Sequence, residues 1–388
     1  MKLYKRLLFL CCWAAVLPAS AEVNFNGFLS VSGGMLLDDD EIPTYAGYDE
    51  DWNTDPDTTF ALQASADLSD KITATGQLIA RGEDDYDLEA EWAYLTYAAT
   101  SNVDIRVGRL RSPFFIYSDF LDVGYAYPWI RPPEQTYRFL FTTVEGVDTV
   151  ITGSLGDWDS TFQAYYGRLT DESGLGGERV DLDLKGFTGA NWTLSKDWFT
   201  VRATYNQAEY TIGLPSTLSN AAGTGLLDLL TAAGFAGVAD ALNPNEEDAQ
   251  FYGIGINIDH NDWLLVSEYT VLDVDDQNAV SDDDALYVMV GRRFGDFTAH
   301  ITWDRQEADP DLDIFNVIPD GVAPALDALK AGALSAVADP RDERTDITVG
   351  LRYDFTPGAA FKVEVTDLDR EPGGRDGTLV SFAVDMVF

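Results

Sequence analysis

Two histidines, His260 and His300, are the side chains of this 388-residue chain best suited to act as a general base near neutral pH. Hydrolytic catalysis needs a nucleophile, a base and an orienting group within hydrogen-bond reach of one another. Neither histidine has a recognisable serine motif nearby, and the Gly-x-Ser-x-Gly pattern is absent from the sequence. The residue types therefore do not predict an enzyme.

The chain begins with the pattern of a secretory signal peptide. A positively charged start precedes a short apolar run and the small residues Ala-Ser-Ala at 19–21. We expect 1–21 to be removed and 22–388 to form one mature domain. Both cysteines, Cys11 and Cys12, lie in the leader, so the mature chain is predicted to use neither disulfides nor thiol chemistry.

The composition restricts the class of partner. A net charge of −41 argues against nucleic acid, because its phosphates would be repelled. The chain is also 46% hydrophobic and 12% aromatic, which argues against a disordered acidic segment. A folded, strongly acidic protein is expected.

The main structural signal is the alternation of apolar and polar residues, which continues from residue 24 to the end of the chain. In the last segment Val380, Phe382 and Val384 are apolar, whereas the residues between them are small or polar. This period of two is typical of strands with one apolar face. It predicts sixteen strands, at approximately 24–36, 57–68, 71–81, 87–98, 103–110, 145–155, 159–168, 181–194, 198–210, 249–260, 263–272, 285–293, 297–306, 345–354, 360–368 and 378–388.

The connections between these strands alternate in length. Tight turns are expected near residues 70, 157, 196, 261, 295 and 357, and long acidic loops at 37–56, 111–144, 211–248 and 307–344. Short turns on one side and long loops on the other are typical of outer-membrane barrels. The sequence therefore predicts an all-β fold, a 16-stranded antiparallel transmembrane β-barrel of a Gram-negative outer membrane with both termini in the periplasm. A large soluble all-β protein, the alternative, leaves the charges opposite every apolar face unexplained.

Leucine spacing near 223–242 and 321–338 predicts short helices in two of the long loops. Strict alternation also predicts which charges face the inside of the barrel. In the fifth strand Asp104 and Arg106 point inward, and Arg109 breaks the parity, so a bulge or the strand end must lie close to it. Further charges of a water-filled lumen wall are expected at Glu89, Glu91, Arg352 and Lys362.

The long segment after the fifth strand is the candidate for a constriction. A barrel of sixteen strands encloses an aqueous channel, so sieving of solutes needs a segment folded inward. This segment is rich in aromatic residues, and Pro128, Pro132 and Pro133 limit its backbone freedom. Its aromatic side chains allow two interpretations, packing against the inner wall or a stacking surface for sugars.

These features resemble a known family. Val107-Gly108-Arg109 at the end of strand five, Tyr-Pro-Trp-Ile-Arg-Pro-Pro at 127–133, the strand number and a terminal Phe388 resemble trimeric Gram-negative porins. The resemblance implies a homotrimer, a third external loop folded into the lumen, and recognition of Phe388 by the barrel-assembly machinery.

In such porins acidic residues on the inward loop face basic residues on the wall, which creates a transverse electric field. By resemblance, the basic groups of the wall or loop root are Arg106, Arg109 and Arg111, and the acidic groups of the loop are Asp119, Asp122 and Glu134. Arg131 and Arg138 would belong to either side of the constriction.

The sequence thus predicts a porin for passive diffusion of small hydrophilic solutes and ions. A preference for cations is expected because carboxylates dominate the loops. Two alternatives stay open: a channel selective for carbohydrate or another nutrient, and a surface adhesin or receptor whose barrel is plugged by its loops.

The expected partners are outer-membrane lipid and lipopolysaccharide. Runs of carboxylates at 38–41, 273–276 and 282–284 could attract Ca²⁺ or Mg²⁺. They lack the glycine and the terminal glutamate of a twelve-residue calcium loop, which favours solvated loops over a defined metal site. No other cofactor is expected.

Overall fold

A computed structural model describes residues 22–37, 42, 44–137, 141–175, 178–220, 222–274, 281–310, 312–337, 343–371 and 375–388. The predicted leader, 1–21, lies outside them. The described residues form sixteen strands: β1 Val23–Leu37, β2 Thr59–Ser69, β3 Ile72–Arg81, β4 Leu88–Ala98, β5 Val103–Arg111, β6 Thr143–Leu155, β7 Trp158–Leu175, β8 Glu178–Lys196, β9 Phe199–Ile212, β10 Asn245–His260, β11 Trp263–Val274, β12 Asp282–Phe294, β13 Phe297–Asp309, β14 Glu343–Thr356, β15 Ala359–Glu371 and β16 Arg375–Val387.

The strands close into one antiparallel barrel. Each strand pairs with its neighbours in the chain, and β1 pairs with β16 in a register that places Phe28 opposite Val387. The backbone of Phe388 completes the closure by two hydrogen bonds with Gly27, of 2.8 and 2.9 Å. The predicted fold class and strand number are confirmed.

Side chains on the two faces of the barrel differ as the alternation predicts. Outward-facing residues are apolar and exposed, such as Val349 at 55% and Ile301 at 51%. Their neighbours along the strands, such as Thr348 and Thr302, face inward, and Asp304 on the same face of β13 is 3% exposed. The outer face suits lipid, and the inner face is polar at this height.

Strands β7 and β8 are longer than the sequence predicts. The alternation indicates 159–168 and 181–194, whereas the structure has Trp158–Leu175 and Glu178–Lys196. The additional residues carry charged side chains on the outer face, including Glu172 of β7 and Arg179 of β8. A strand whose outer face is charged lacks the apolar alternation by which membrane strands are predicted. The predicted strands are therefore shorter than the observed ones.

Two long external loops contain the helices, as the leucine spacing predicts. The loop between β9 and β10 forms α1, Leu226–Ala232, and α2, Ala236–Ala241, and the loop between β13 and β14 forms α3, Pro324–Ala336. The three helices pack into one apolar cluster that includes Leu230, Val238, Phe315, Ala333 and Val337. We call this unit the helical cap. Among the described residues, no helix is long and apolar enough to cross a membrane.

The helical cap allows a matched test of its packing. Leu230 is fully buried in the cluster, whereas its neighbour Leu229 is 46% exposed. We expect Leu230→Ala to destabilise the cap by about 2–5 kcal/mol, because it removes buried methyl groups and leaves a cavity. Limited proteolysis should then cleave the two loops faster than in the unmodified protein. The barrel itself should stay folded, which is checked by its faster migration on gel electrophoresis before heating than after. Leu229→Ala is the control, and equal cleavage of both variants would contradict the packing.

Candidate pore constriction

The segment 112–142 joins β5 to β6 and is the third external loop. We call it the inward loop; residues 138–140, and with them the predicted site residue Arg138, lie outside the described part of the chain. Short 3₁₀ turns at Ser118–Phe120 and Gly124–Ala126 shape its middle part. Its polar atoms bond to inward-facing side chains of strands on both sides of the barrel, so the loop lies in the lumen.

On the side of β3 to β5, the inward loop is held by a cluster of four charges. The carboxylate of Asp122 accepts hydrogen bonds from Arg81, at 2.9 and 3.1 Å, and from Arg111. Glu91 forms ion pairs with the same two arginines, at 2.8 and 3.0 Å. All four side chains are at most 14% exposed. Two cations and two anions therefore bind the loop to the wall with no net charge.

Burial of Asp122 would raise the pKa of its carboxyl group. The charges of Arg111 and Arg81, and the hydrogen bonds they donate, outweigh that effect and lower the pKa to about 2. Asp122 therefore stays ionised at any pH at which the barrel is expected to function.

Beside this cluster, Arg106 of β5 and the exposed Asp119 form a more solvated region. Arg106 donates to Asp148 of β6 at 2.9 Å, lies 5.7 Å from the ring of Tyr94, and is 25% exposed. Asp119 is within electrostatic reach of Arg106. Asp104, two residues before Arg106, lies half-buried on the same face of β5. These charges are the ones a solute could approach.

On the side of β11 to β15, the polarity of the contacts is the reverse of the expected one. Carboxylates of the wall accept hydrogen bonds from backbone N–H groups of the inward loop. Glu268 accepts from Ile116 at 2.8 Å, and Glu364 accepts from Ile130 at 2.9 Å. Asp304 likewise accepts from Gln135 at 2.8 Å. At these three contacts the wall supplies the acceptors and the loop supplies the donors.

Two predicted cations of the lumen wall also hold the loop. Arg352 of β14 donates to the carbonyl oxygens of Tyr125 and Tyr127, both at 2.8 Å. Lys362 of β15 donates to the carbonyl of Gly124 at 2.6 Å and forms an ion pair with Asp385 at 2.8 Å. Both residues face inward, as the alternation predicts, but they contact the loop rather than open solvent.

Two further predicted residues of the inward loop, Arg131 and Glu134, have other neighbours. Arg131 donates to Asp57 of the first external loop at 3.0 Å. Glu134 lines a cavity of about 20 Å³ together with Arg131, Asp304 and Asp346. The partners of Arg131 and the neighbours of Glu134 are different wall residues from those that bind Asp122.

Arg109 lies elsewhere. Its guanidinium is 3.3 Å from Asp171 of β7, and its side chain is 32% exposed. Gly108 beside it has a φ of +142°, but the pairing of β5 with β4 and β6 continues through Gly108 without a register shift, so Arg109 lies on the same face as the outward-facing Val107. Of the bulge or strand end that the sequence predicts near Arg109, the strand end is present, at Arg111. The structure therefore does not bring Arg109 to the acidic residues of the inward loop. Glu89 lies at the edge of the four-charge cluster, 3.6 Å from Arg81.

The aromatic residues of the inward loop pack rather than line the channel. Phe114, Phe115, Tyr127 and Trp129 are each at most 5% exposed, and Trp129 also donates to Thr302 of β13 at 2.7 Å. The exposed ring is Phe120, at 54%. Of the two interpretations of these side chains, packing against the inner wall and a stacking surface for sugars, the structure shows packing.

Sequence reasoning missed several residues of the site. Asp148, Asp346 and Asp385 lie on inward faces, so strict alternation could have found them. Asp57 lies in a loop where no periodicity applies, and nothing in the sequence marks it as the partner of Arg131.

The histidines and the acidic runs do not form a site in the described chain. His300 is buried 3.4 Å from Glu364, and His260 packs against Trp198 at the periplasmic end. Among the described residues, no three His, Asp or Glu side chains are grouped to hold a metal ion. The acidic residues 38–41 and 275–276 lie outside the described part.

Comparison with known proteins agrees with this architecture. A family model described as Gram-negative porin matches residues 8–373. Similar solved structures include OmpF of Salmonella typhi in complex with daunomycin, with 13% identity, a TM-score of 0.58 and coverage of 95% of this chain and 98% of that one. A comparison with curated proteins finds no match.

Two further structures are similar at the same level. The anion-selective porin from Comamonas acidovorans has 10% identity and a TM-score of 0.56 over 95% of this chain and all of that one. The outer-membrane channel DcaP of Acinetobacter baumannii has 12% identity and a TM-score of 0.58 over 95% and 97%. At such identities the likeness shows the fold alone, and the family match covers nearly the whole sequence. The chain belongs to the Gram-negative porin family and forms a β-barrel channel in the outer membrane.

Proposed function

We propose that this channel serves passive diffusion of small hydrophilic solutes and ions and that it prefers cations. The observation that carries the proposal is the charge balance around the inward loop. Arg81 and Arg111 are matched by Glu91 and Asp122, and Arg106 is matched by Asp148. The exposed Asp119 adds a negative charge that these pairs do not cancel.

The charges in the rest of the lumen also favour cations over anions. Lys362 is paired with Asp385 and Arg352 with Asp354. The external loops are strongly acidic as well. A narrow passage lined by excess negative charge raises the local concentration of cations and lowers that of anions.

Reversal potentials measured under a salt gradient test whether the channel prefers cations or anions. We expect the unmodified protein in planar bilayers to favour K⁺ over Cl⁻, and Asp119→Asn to lower the permeability ratio by up to about fivefold, since a unit charge in water contributes about 1 kcal/mol at 4 Å. Asp157→Asn, the same change of charge in an exposed periplasmic turn, is the control. Anion preference in the unmodified protein would overturn the proposal.

A second test concerns the attachment of the inward loop. Because the pKa of Asp122 is lowered to about 2, its ionised form stabilises the folded loop above the ordinary carboxyl pKa of about 4, and this contribution is lost as the pH falls through about 2. We expect quiet single-channel currents down to about pH 3, and noisy currents at neutral pH in Asp122→Asn. Asp122→Glu, which retains the charge, should be the milder variant. Quiet currents in Asp122→Asn would mean that the other contacts of the inward loop hold it in place without the charge of Asp122.

We also propose a homotrimer whose subunits meet on the outer face of β2 to β4. Between apolar ends, outward-facing residues of these strands are small, namely Ala64, Ala66, Ala74, Gly76 and Ala93. Small side chains let two barrel walls approach closely. The similar OmpT of Vibrio cholerae has been described in a trimer form.

The proposed interface can be tested by adding bulk. Ala74→Trp should lower the temperature at which the oligomer dissociates on gel electrophoresis, because the ring would separate the two walls. Ala299→Trp, on the outer face of β13 next to the exposed Ile301, is the matched control and should leave the oligomer unchanged. Equal behaviour of the two variants would place the interface elsewhere.

Three further partners belong to the proposal. Lipid would contact the apolar outer face, and lipopolysaccharide would contact the acidic external loops through Ca²⁺ or Mg²⁺. Phe388, a residue that is 63% exposed, would present the end of β16 to the assembly machinery. A second candidate function, a channel selective for certain nutrients, is favoured by one observation, an apolar section of the inner wall above the inward loop.

A further inference from the structure

The inner wall of β8 to β11 changes character toward the external side. At the height of Tyr205 and Tyr252, exposed aromatic residues face outward and the polar Asn206 faces inward. Further along the same strands Tyr210 faces inward and is buried, while Glu209 faces outward.

The neighbouring strand shows the same inversion. On β8, Leu182 and Leu184 face inward and are buried, and the exposed Lys185 forms ion pairs with Glu209 and Glu246 on the outside. Aromatic residues mark the edge of the lipid-facing band in barrels of this kind. Beyond that edge the strands therefore present an apolar face to the inside.

The inward loop covers part of this apolar wall. Phe114 packs against Phe187 and Phe251, with ring centroids 5.7 and 5.0 Å apart. Phe141 packs against Phe187 at 5.9 Å. Above these rings a cavity of about 170 Å³ remains. We call it the rim cavity; its lining includes Phe141, Leu184, Tyr210, Phe251, Leu272 and Ala285.

Two buried polar atoms of the lining residues have no hydrogen-bond partner in the described chain. Asn206 and Gln135 both line the rim cavity and are 2% and 4% exposed. Within the described chain, Nδ2 of Asn206 and Oε1 of Gln135 make no hydrogen bond. A buried polar atom without a partner costs about 1–3 kcal/mol, so native structures rarely contain one that serves nothing. The residues that line the rim cavity thus include one unpaired donor and one unpaired acceptor among apolar side chains.

We propose that the rim cavity binds the ring of a small cyclic solute that carries a hydroxyl group. The volume fits one ring, since an apolar protein cavity of about 150 Å³ accepts benzene. A hydroxyl group suits either atom, because it can accept from Asn206 or donate to Gln135. The carboxylate of Asp283 also lines the cavity, which favours neutral over anionic ligands. The site deepens the proposed channel function, on which it rests, by giving the passage a preference for hydroxylated ring compounds.

Fluorine NMR can detect such binding. The probes are para-fluorobenzyl alcohol, para-fluorotoluene, which lacks the hydroxyl group, and the anion para-fluorobenzoate. Each is added to nanodiscs that hold the full-length protein, and its line broadening is corrected by empty nanodiscs, which account for partition into lipid. We expect saturable broadening for the alcohol, weaker binding of the toluene by about three- to tenfold because a hydrogen bond is lost, and the weakest binding for the benzoate.

Variants locate the site. Ala285→Phe places a ring in the cavity and should weaken binding of the alcohol by about tenfold or more. Ala299→Phe, the same change on the outer face of β13, should leave it unchanged. Asn206→Leu should reduce the difference between the alcohol and the toluene while it retains the apolar lining. Equal binding to the Ala285→Phe and Ala299→Phe variants, or no saturable binding at all, would overturn the inference.

Ion conductance of the same protein preparations in planar bilayers separates the two proposals. A protein that conducts ions normally but does not bind the probes refutes the rim cavity site and leaves the diffusion channel standing. A protein that binds the probes with the expected effect of Ala285→Phe, but passes no current, supports the site and refutes open diffusion.

Discussion

The lipid bilayer offers no hydrogen-bond partners to the polypeptide backbone, and this constraint determines most of the structure. Every strand must bond to two neighbours, so the sheet has to close, and β1 meets β16 with Phe388 completing the last pair to Gly27. Closure fixes which residues face outward. Because the outer face must be apolar, charged residues of the membrane-spanning part have one place left, the lumen. The charged interior therefore follows from the closed backbone.

The inward loop depends on that interior. A loop of this length loses much conformational entropy when it is held in one position. Contacts with the wall compensate for this loss, and they include both signs of charge: Asp122 meets arginines, whereas Glu364 receives a backbone N–H group. A buried ion pair adds little net stability, but removal of one partner leaves an unpaired charge at high cost. The contacts thus specify the position of the loop more than they stabilise the barrel.

Much of the fold could be predicted from the sequence, because alternation and closure are local consequences of the membrane. The sixteen strands, the inward direction of Arg106 and Lys362, and the inward third loop all follow in this way. The pairing of the loop residues did not follow. Asp119 and Asp122 are three residues apart, yet one is exposed and the other is bound between two arginines. That difference depends on the path of the loop through the lumen, which no sequence period encodes.

Two other failures have the same origin. Arg109 was assigned to the constriction by resemblance, but it lies on the same face of β5 as the outward-facing Val107, and its partner is Asp171. The carboxylates of Glu268, Asp304 and Glu364 face the inside of the barrel, yet they accept N–H groups of the loop instead of lining water. An inward-facing charge is predictable from parity, but whether water or the loop meets it depends on tertiary structure.

At their external ends the strands leave the membrane, and there the two faces of the barrel meet different surroundings. Once β8 and β9 rise above the lipid, water meets their outer face, and that face becomes charged at Lys185 and Glu209. A strand with two polar faces would bury little apolar surface and would be held chiefly by its backbone hydrogen bonds. An apolar inner face restores that contribution, but only where something covers it. The inward loop covers the lower part with Phe114 and Phe141, and the remaining concave surface is the part of the lumen where an apolar group of a solute can replace water.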